Sequence, residues 1–144
     1  MMYSKTISFR WADIDPNFHV RHSVYYDLAA QHRIELLAAA GLTVQFMQQH
    51  QFGPVLFREE CVFLREMKLT DTITIAASLQ KAKPDASRWT IQHQFTNQDG
   101  VKCAVLTVDG AWIDTAKRKL ANPIPQLVVE VMNSFPKGEE FEES

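Results

Sequence analysis

The segment between Ser23 and Gly41 is apolar around so much of its girth that it asks to be enclosed rather than laid on a surface. Val24, Tyr25, Leu28, Ala29, Ala30, Ile34, Leu36, Leu37, Ala39 and Ala40 spread around most of the helical wheel. Asp27, Gln31 and Glu35 leave only a narrow polar stripe at i, i+4 and i+8. Ser23 has the chemistry of an N-cap and Gly41 that of a helix-ending residue, so a helix of about four or five turns is predicted between them. Whatever else the chain forms must wrap that helix.

The remaining segments are strand-like. Tyr3, Ile7, Phe9 and Trp11 share one parity, with Lys5 the exception, against Ser4, Thr6, Ser8 and Arg10. That is the period-two pattern of a strand with one buried face, predicted over Tyr3–Trp11. A short amphipathic stretch over Val44–His50 follows the long helix, and Val55–Leu64 is the next strand. Ile73, Ile75, Ala77 and Leu79 then alternate with polar neighbours over Thr72–Gln80. Trp89, Ile91, His93 and Phe95 do the same over Arg88–Thr96. Asn97-Gln98-Asp99-Gly100 is turn chemistry, which makes Arg88–Thr96 and the last long strand, Val101–Ile113, a hairpin. The order is strand, enclosed helix, then about four strands joined by short turns. A sheet of this size around one apolar helix is an α+β arrangement. The sheet's outer face still carries Trp, Ile and Val in this reading, which implies that a second copy packs there.

Composition bounds the function. The 144 residues, 46% hydrophobic and 22% charged, suit a single globular domain over 1–144, with an acidic tail at about 137–144 expected to fray. A net charge of −2 gives no reason to expect a nucleic-acid partner. Lys117, Arg118 and Lys119 make one small basic group that reads as an exposed turn. Cys61 and Cys103 lie in strands without metal-ligand spacing and read as reduced, buried thiols. No apolar run reaches the roughly 18 residues of a membrane span, and the N-terminus lacks an apolar signal region. The expected location is cytoplasmic.

Chemistry concentrates between Phe9 and Tyr25. Asp13 and Asp15 stand two residues apart, Pro16-Asn17 supplies a turn, His19 and His22 follow, and the long helix then begins. A carboxylate, an imidazole and the positive end of a helix are the groups that hydrolysis of an activated carbonyl uses. Asp13 reads as a structural loop residue. His19 and His22 are one pair with no further Cys/His cluster, so no metal site is expected.

The run R-W-x-D-x-D-P-x-x-H-V-x-x-x-x-Y-Y, from Arg10 to Tyr26, resembles the 4-hydroxybenzoyl-CoA thioesterase-like family of hot-dog acyl-CoA thioesterases. Members show an aspartate pair, then a Gly-His-Val-Asn-Asn or Gly-Val-Val-Tyr-His stretch, then an aromatic residue early in the central helix. Glu60-Cys61-Val62-Phe63-Leu64-Arg65 with Leu69-Thr70-Asp71, the Asp99-Gly100 hairpin and Asn122-Pro123-Ile124-Pro125 extend the likeness along nearly the whole chain. Phe18 stands where glycine is usual, Arg21-His22 where Asn-Asn is common, Gln31 where many members have glutamate, and Trp11 where some have tyrosine.

The resemblance implies a hot-dog fold, an antiparallel curved sheet wrapped around one long central helix. It also implies hydrolysis of an acyl-CoA thioester to free acid and coenzyme A. Asp15 matches the family's catalytic carboxylate, as general base or nucleophile. His22 lies where one branch carries a functional histidine. Phe18, His19, Val24 and Tyr25 would face substrate, and amides around Val24–Tyr26 would polarise the carbonyl. Coenzyme A enters as part of the substrate and no further cofactor is implied. A homodimer or homotetramer is expected. Two alternatives stay open: a non-catalytic hot-dog protein that binds acyl thioesters, and a thioesterase acting on acyl carrier protein.

Overall fold

The computed structural model describes residues 3–144. Its elements are β1 (Tyr3–Ile7), a single 3-10 turn (Trp11–Asp13), α1 (His22–Ala39), α2 (Val44–Gln49), β2 (Phe52–Phe63), β3 (Ile73–Ala82), β4 (Arg88–Thr96), β5 (Lys102–Asp114), β6 (Lys119–Leu120), α3 (Gln126–Ser134) and β7 (Lys137–Glu143). Among the described residues the strands form one seven-stranded sheet of order β1-β3-β4-β5-β2, with β6 on β5 and β7 on β3. It is a curved, antiparallel half-barrel, the hot-dog arrangement of an α+β fold, with β7 its parallel addition.

The strand parities fall as the alternation requires. Ile73, Ile75, Ala77 and Leu79 on β3, and Trp89, Ile91, His93 and Phe95 on β4, are all buried. Thr90, Gln92, Gln94 and Thr96 take the outer face. Register is held by Ile75↔Phe95 and Leu79↔Ile91 between β3 and β4, and by Ile91↔Val108 and His93↔Leu106 between β4 and β5. Each large aliphatic side chain enclosed there contributes roughly 1.5–3 kcal/mol by leaving water. The β4–β5 hairpin closes through Gly100, at φ +77°, while the Asn97 side chain accepts from the amides of Asp99 and Val101 at 2.9 and 3.0 Å.

α1 packs Val24, Tyr25, Ala29, His32, Arg33 and Leu37 into the core and leaves Asp27, Gln31 and Glu35 exposed. It ends where glycine chemistry says it should, with Gly41 at φ +101°. In the single chain Ala30 and Ala38 remain exposed, Ala30 beside a cavity that Arg33 and Leu37 also line.

Five readings change. Ser23 is not the N-cap: α1 begins at His22 and Arg21 caps it, because Arg21 is already fixed to the preceding turn. β1 stops at Ile7, and Trp11 turns out to solvent in the 3-10 turn at 69% exposure. No Trp or Ile of the sheet is exposed among the described residues, against the expectation for its outer face; the exposed apolar side chains there include Leu56, Phe57, Val62, Phe63 and Leu64, on and just after the edge strand β2. A helix, α3, follows the late prolines and buries Val128, Val131 and Met132, a helical spacing within an otherwise strand-rich chain. The acidic end forms β7, whose Phe141 packs against the core while its glutamates face out.

Candidate active site

The loop between β1 and α1 is built on Asp13. Its buried carboxylate accepts from the Arg10 amide at 2.9 Å and from Arg10 Nη2 at 2.8 Å, and the hydrogen bond from Arg10 holds its pKa below the usual range. The Asp13 carbonyl accepts from the Arg21 amide at 2.8 Å. The Arg21 guanidinium donates to the Ala12 carbonyl at 3.1 and 3.3 Å and to Ser23 Oγ at 2.9 Å. The 3-10 turn and the start of α1 are therefore tied together by one arginine, and Asp13 serves as an anchor.

Between those ties the chain makes a tight turn through Pro16-Asn17-Phe18. The Asp15 amide donates to the His19 carbonyl at 2.8 Å and the Phe18 amide to the Asp15 carbonyl at 2.9 Å. Asp15 Oδ1 accepts from the amides of Asn17 and His19 at 2.9 and 3.1 Å. Oδ2 has no partner among the described residues. Phe18 sits at φ +66° with its ring 69% exposed. The backbone thus adopts the left-handed conformation that glycine takes without strain, and does so with a phenylalanine. The turn is docked from outside by Val20, whose amide donates to the carbonyl of buried Met67 at 2.8 Å.

This turn, the first residues of α1 and the end of β2 surround a cleft of about 430 Å³. The structure brings Asp15, His19, His22 and Tyr25 to its wall. Phe18 and Val24 are not among the lining residues: Phe18 points to solvent, and the Val24 side chain is buried in the core. Facing Asp15 and His22 across the cleft are Phe63, Leu64, Arg65 and Glu66, none of them a site residue that the sequence alone points to. Apolar Phe63-Leu64 followed at once by an unlike charged pair was the available signal.

The start of α1 presents different amides from those expected. The Val24 amide is occupied, donating to the Arg21 carbonyl at 3.0 Å. The amides of His22 and Ser23 have no partner among the described residues, and these occupy the positive end of the helix. Tyr25 is a wall: its ring stands edge-on to Phe63 at 4.9 Å, and burial pushes its hydroxyl up to about 12. Burial also pushes the Cys61 thiol up to about 11, and both cysteines are free. Neither is poised as a thiolate nucleophile. Among the described residues no three His, Cys, Asp or Glu side chains cluster as a metal site, and no helix is long and apolar enough to cross a membrane. A free carboxylate oxygen, an imidazole and two unpaired amides at a helix start can activate water and receive a developing oxyanion.

Residues 9–132 match the family model described as the thioesterase-like superfamily. No curated protein matches the sequence. Among solved structures, the chain is similar to a Staphylococcus aureus hypothetical protein characterised in complex with CoA, at TM-score 0.86 and 16% identity, covering 92% of this chain and 82% of that one. A 1,4-dihydroxy-2-naphthoyl-CoA thioesterase from Synechocystis gives TM-score 0.82 at 16% identity, over 93% and 97%. A probable thioesterase from Escherichia coli, YbaW, gives 0.78 at 20%, over 93% and 98%. At these identities the structural likeness is one of fold.

Proposed function

The chain belongs to the thioesterase-like superfamily, and from that premise we propose that it hydrolyses an acyl-CoA thioester to free acid and coenzyme A. The observation that carries this reading is the placement of Asp15 and His22 on one cleft at the start of α1. Asp15 Oδ1 is held by two backbone amides, which leaves Oδ2 to activate water as general base or to attack the thioester carbon itself. The amides of His22 and Ser23 polarise the carbonyl oxygen and stabilise the negative charge that develops on it. His22 assists proton transfer, and His19 and Tyr25 shape the pocket wall. The CoA complex of a structural neighbour supports a CoA thioester as substrate.

Asp15→Asn is a clean test, because the asparagine side-chain oxygen can still accept from the Asn17 and His19 amides. The turn is kept and the charge is removed. Purified protein is expected to release thiol from at least one of a set of short, long and aromatic acyl-CoAs, and Asp15→Asn to abolish that release without unfolding the protein. Absence of turnover on the whole set would sink the proposal.

A non-catalytic acyl-thioester binder is the second reading, favoured by one observation: the two amide bonds to Oδ1 make Asp15 a turn-former in its own right. Tight acyl-CoA binding that is unmoved by Asp15→Asn, with no thiol release, would select it. Parallel assays with acyl carrier protein thioesters separate the remaining donor. We also propose a homodimer through β2, whose free edge carries Leu56, Phe57, Val62 and Phe63; light scattering of the purified protein checks it.

A further inference from the structure

A second cavity, of about 210 Å³, lies between α1, α3 and the inner face of β2, β4 and β5. Leu37, Trp89, Ile91, Trp112 and Met132 make its wall apolar, and Arg33 is its one charged side chain among the described residues. Arg33 is 9% exposed. A buried cation in an apolar wall is unfavourable unless it is paired, and the pairing here is incomplete. Nη1 lies 3.2 Å from His93 Nε2, and Nη2 lies 3.7 Å from the half-buried Glu59, beyond hydrogen-bond length. A guanidinium carries five N–H donors, so donors remain for a ligand.

The cavity and the catalytic cleft share two walls. Tyr25 lines the cleft and Arg33 the cavity, eight residues further along α1, or about 12 Å of helix. On β2, Phe63 lines the cleft and Leu56 the cavity. To reach Arg33, a chain whose thioester lies beside Asp15 has to run along α1 from the cleft to the cavity.

We propose that this cavity receives the far end of the acyl group and selects a tail that ends in a carboxylate. The proposal rests on the hydrolase reading for the identity of the chain, but not for the chemistry of the cavity. The apolar wall takes the methylenes, and Arg33 forms a charge-assisted hydrogen bond to the terminal carboxylate.

Two measurements test it on the full chain. The first titrates the protein with octanoate and with octanol, probes of equal length of which one ends in an anion. Octanoate is expected to bind at least roughly ten-fold tighter. Arg33→Met should erase that preference, Arg33→Lys should retain part of it, and Ala30→Leu, which fills the cavity from α1 and leaves Arg33 in place, should weaken both probes. Equal affinities in the unaltered protein overturn the proposal, as does a preference that survives in folded Arg33→Met. Should Arg33→Met fail to fold, undiminished octanoate binding in Ala30→Leu overturns it instead.

The second measurement compares thiol release from suberoyl-CoA and octanoyl-CoA. A kcat/KM at least roughly ten-fold higher for suberoyl-CoA is expected, and equal or lower values overturn the assignment of the cavity to the acyl tail. Silence on both thioesters while another acyl-CoA is turned over also overturns that assignment. Silence across the whole acyl-CoA set with the octanoate preference intact overturns the hydrolase reading alone and supports the carboxylate-selective cavity.

Discussion

Arg33 donates from Nη1 to His93 Nε2 across 3.2 Å, and this one contact fixes the protonation of two buried histidines. Arginine is only a donor, so His93 Nε2 must accept and neutral His93 carries its proton on Nδ1. That proton points at His32 Nδ1, 3.2 Å away. Neutral His32 must then hold its own proton on Nε2, a buried atom without a partner among the described residues. A third proton on the pair would place two donors nose to nose beside a guanidinium.

The first prediction follows from that arrangement. Burial above all, with Lys5 and Arg33 adding to it, pushes His32 from 6.5 down to about 4. Burial, Arg33 and His32 push His93 down as well. The folded state therefore binds fewer protons than the unfolded chain. The stability contributed is fully present above pH 6.5 and is lost as pH falls from there towards about 4. The loss is on the order of a few kcal/mol. Urea midpoints at pH 7, 5.5 and 4.5 should fall in step, and the slope should flatten in His32→Gln. A pH-independent midpoint over that range would refute the arrangement.

Phe18 supplies a second prediction. At φ +66° its Cβ is strained against the backbone, at a cost of roughly 1–2 kcal/mol for an L-residue. Its ring is mostly exposed, so little packing offsets that cost. Phe18→Gly should leave stability unchanged or raise it by up to about 1 kcal/mol, since glycine's larger unfolded-state entropy offsets part of the relief. Phe18→Val, β-branched at the same φ, should lower it by about 1 kcal/mol or more. Chemical denaturation of the two variants distinguishes strain from any packing role.

The sequence made the turn at Phe18 legible as a place for glycine, but not that the chain would adopt glycine's conformation anyway. More generally, what could be read was periodic or local. The parities of β3 and β4, the helix ending at Gly41 and the Asn97–Gly100 hairpin each follow from short-range rules. What could not be read depended on contacts between distant residues. Arg21 displaces Ser23 as cap because its guanidinium reaches Ala12. Arg65 and Glu66 join Asp15 only because β2 ends beside the helix start. The helical spacing of Val128, Val131 and Met132 is too short to stand out from strand-like surroundings. Arg33 and His32 were unremarkable polar positions until His93, some sixty residues on, came to lie beneath them.

Gly110 gives a third prediction. It is buried in β5 beneath the six-membered ring of Trp89, and a Cβ there would also meet the Val55 carbonyl oxygen at 2.8 Å. A carbonyl in the β2–β5 ladder cannot move without disturbing the pairing of Val55 with Ala111. Gly110→Ala should therefore destabilise the fold by about 1–3 kcal/mol through overpacking. Gly53→Ala, with open space around its Cβ position, is the control and should change stability by less than about 0.5 kcal/mol. Equal thermal midpoints for the two variants would contradict the packing.

The fourth prediction separates chemistry from architecture at the cleft. His22 and Tyr25 stand three residues apart on α1 and both line the cleft. Burial holds the Tyr25 hydroxyl protonated up to about 12, so it cannot act as a base near neutrality. His22, at the exposed first position of the helix, is the candidate for proton transfer. If it acts so, His22→Asn should lower kcat by about 10²–10⁴ with little change in KM. Tyr25→Phe keeps the ring that packs against Phe63 and should leave kcat within a factor of a few. A larger loss for Tyr25→Phe than for His22→Asn would reverse the assignment. Losses in KM alone for both would reduce His22 to a wall of the pocket and leave Asp15 with the helix-start amides as the whole of the chemistry.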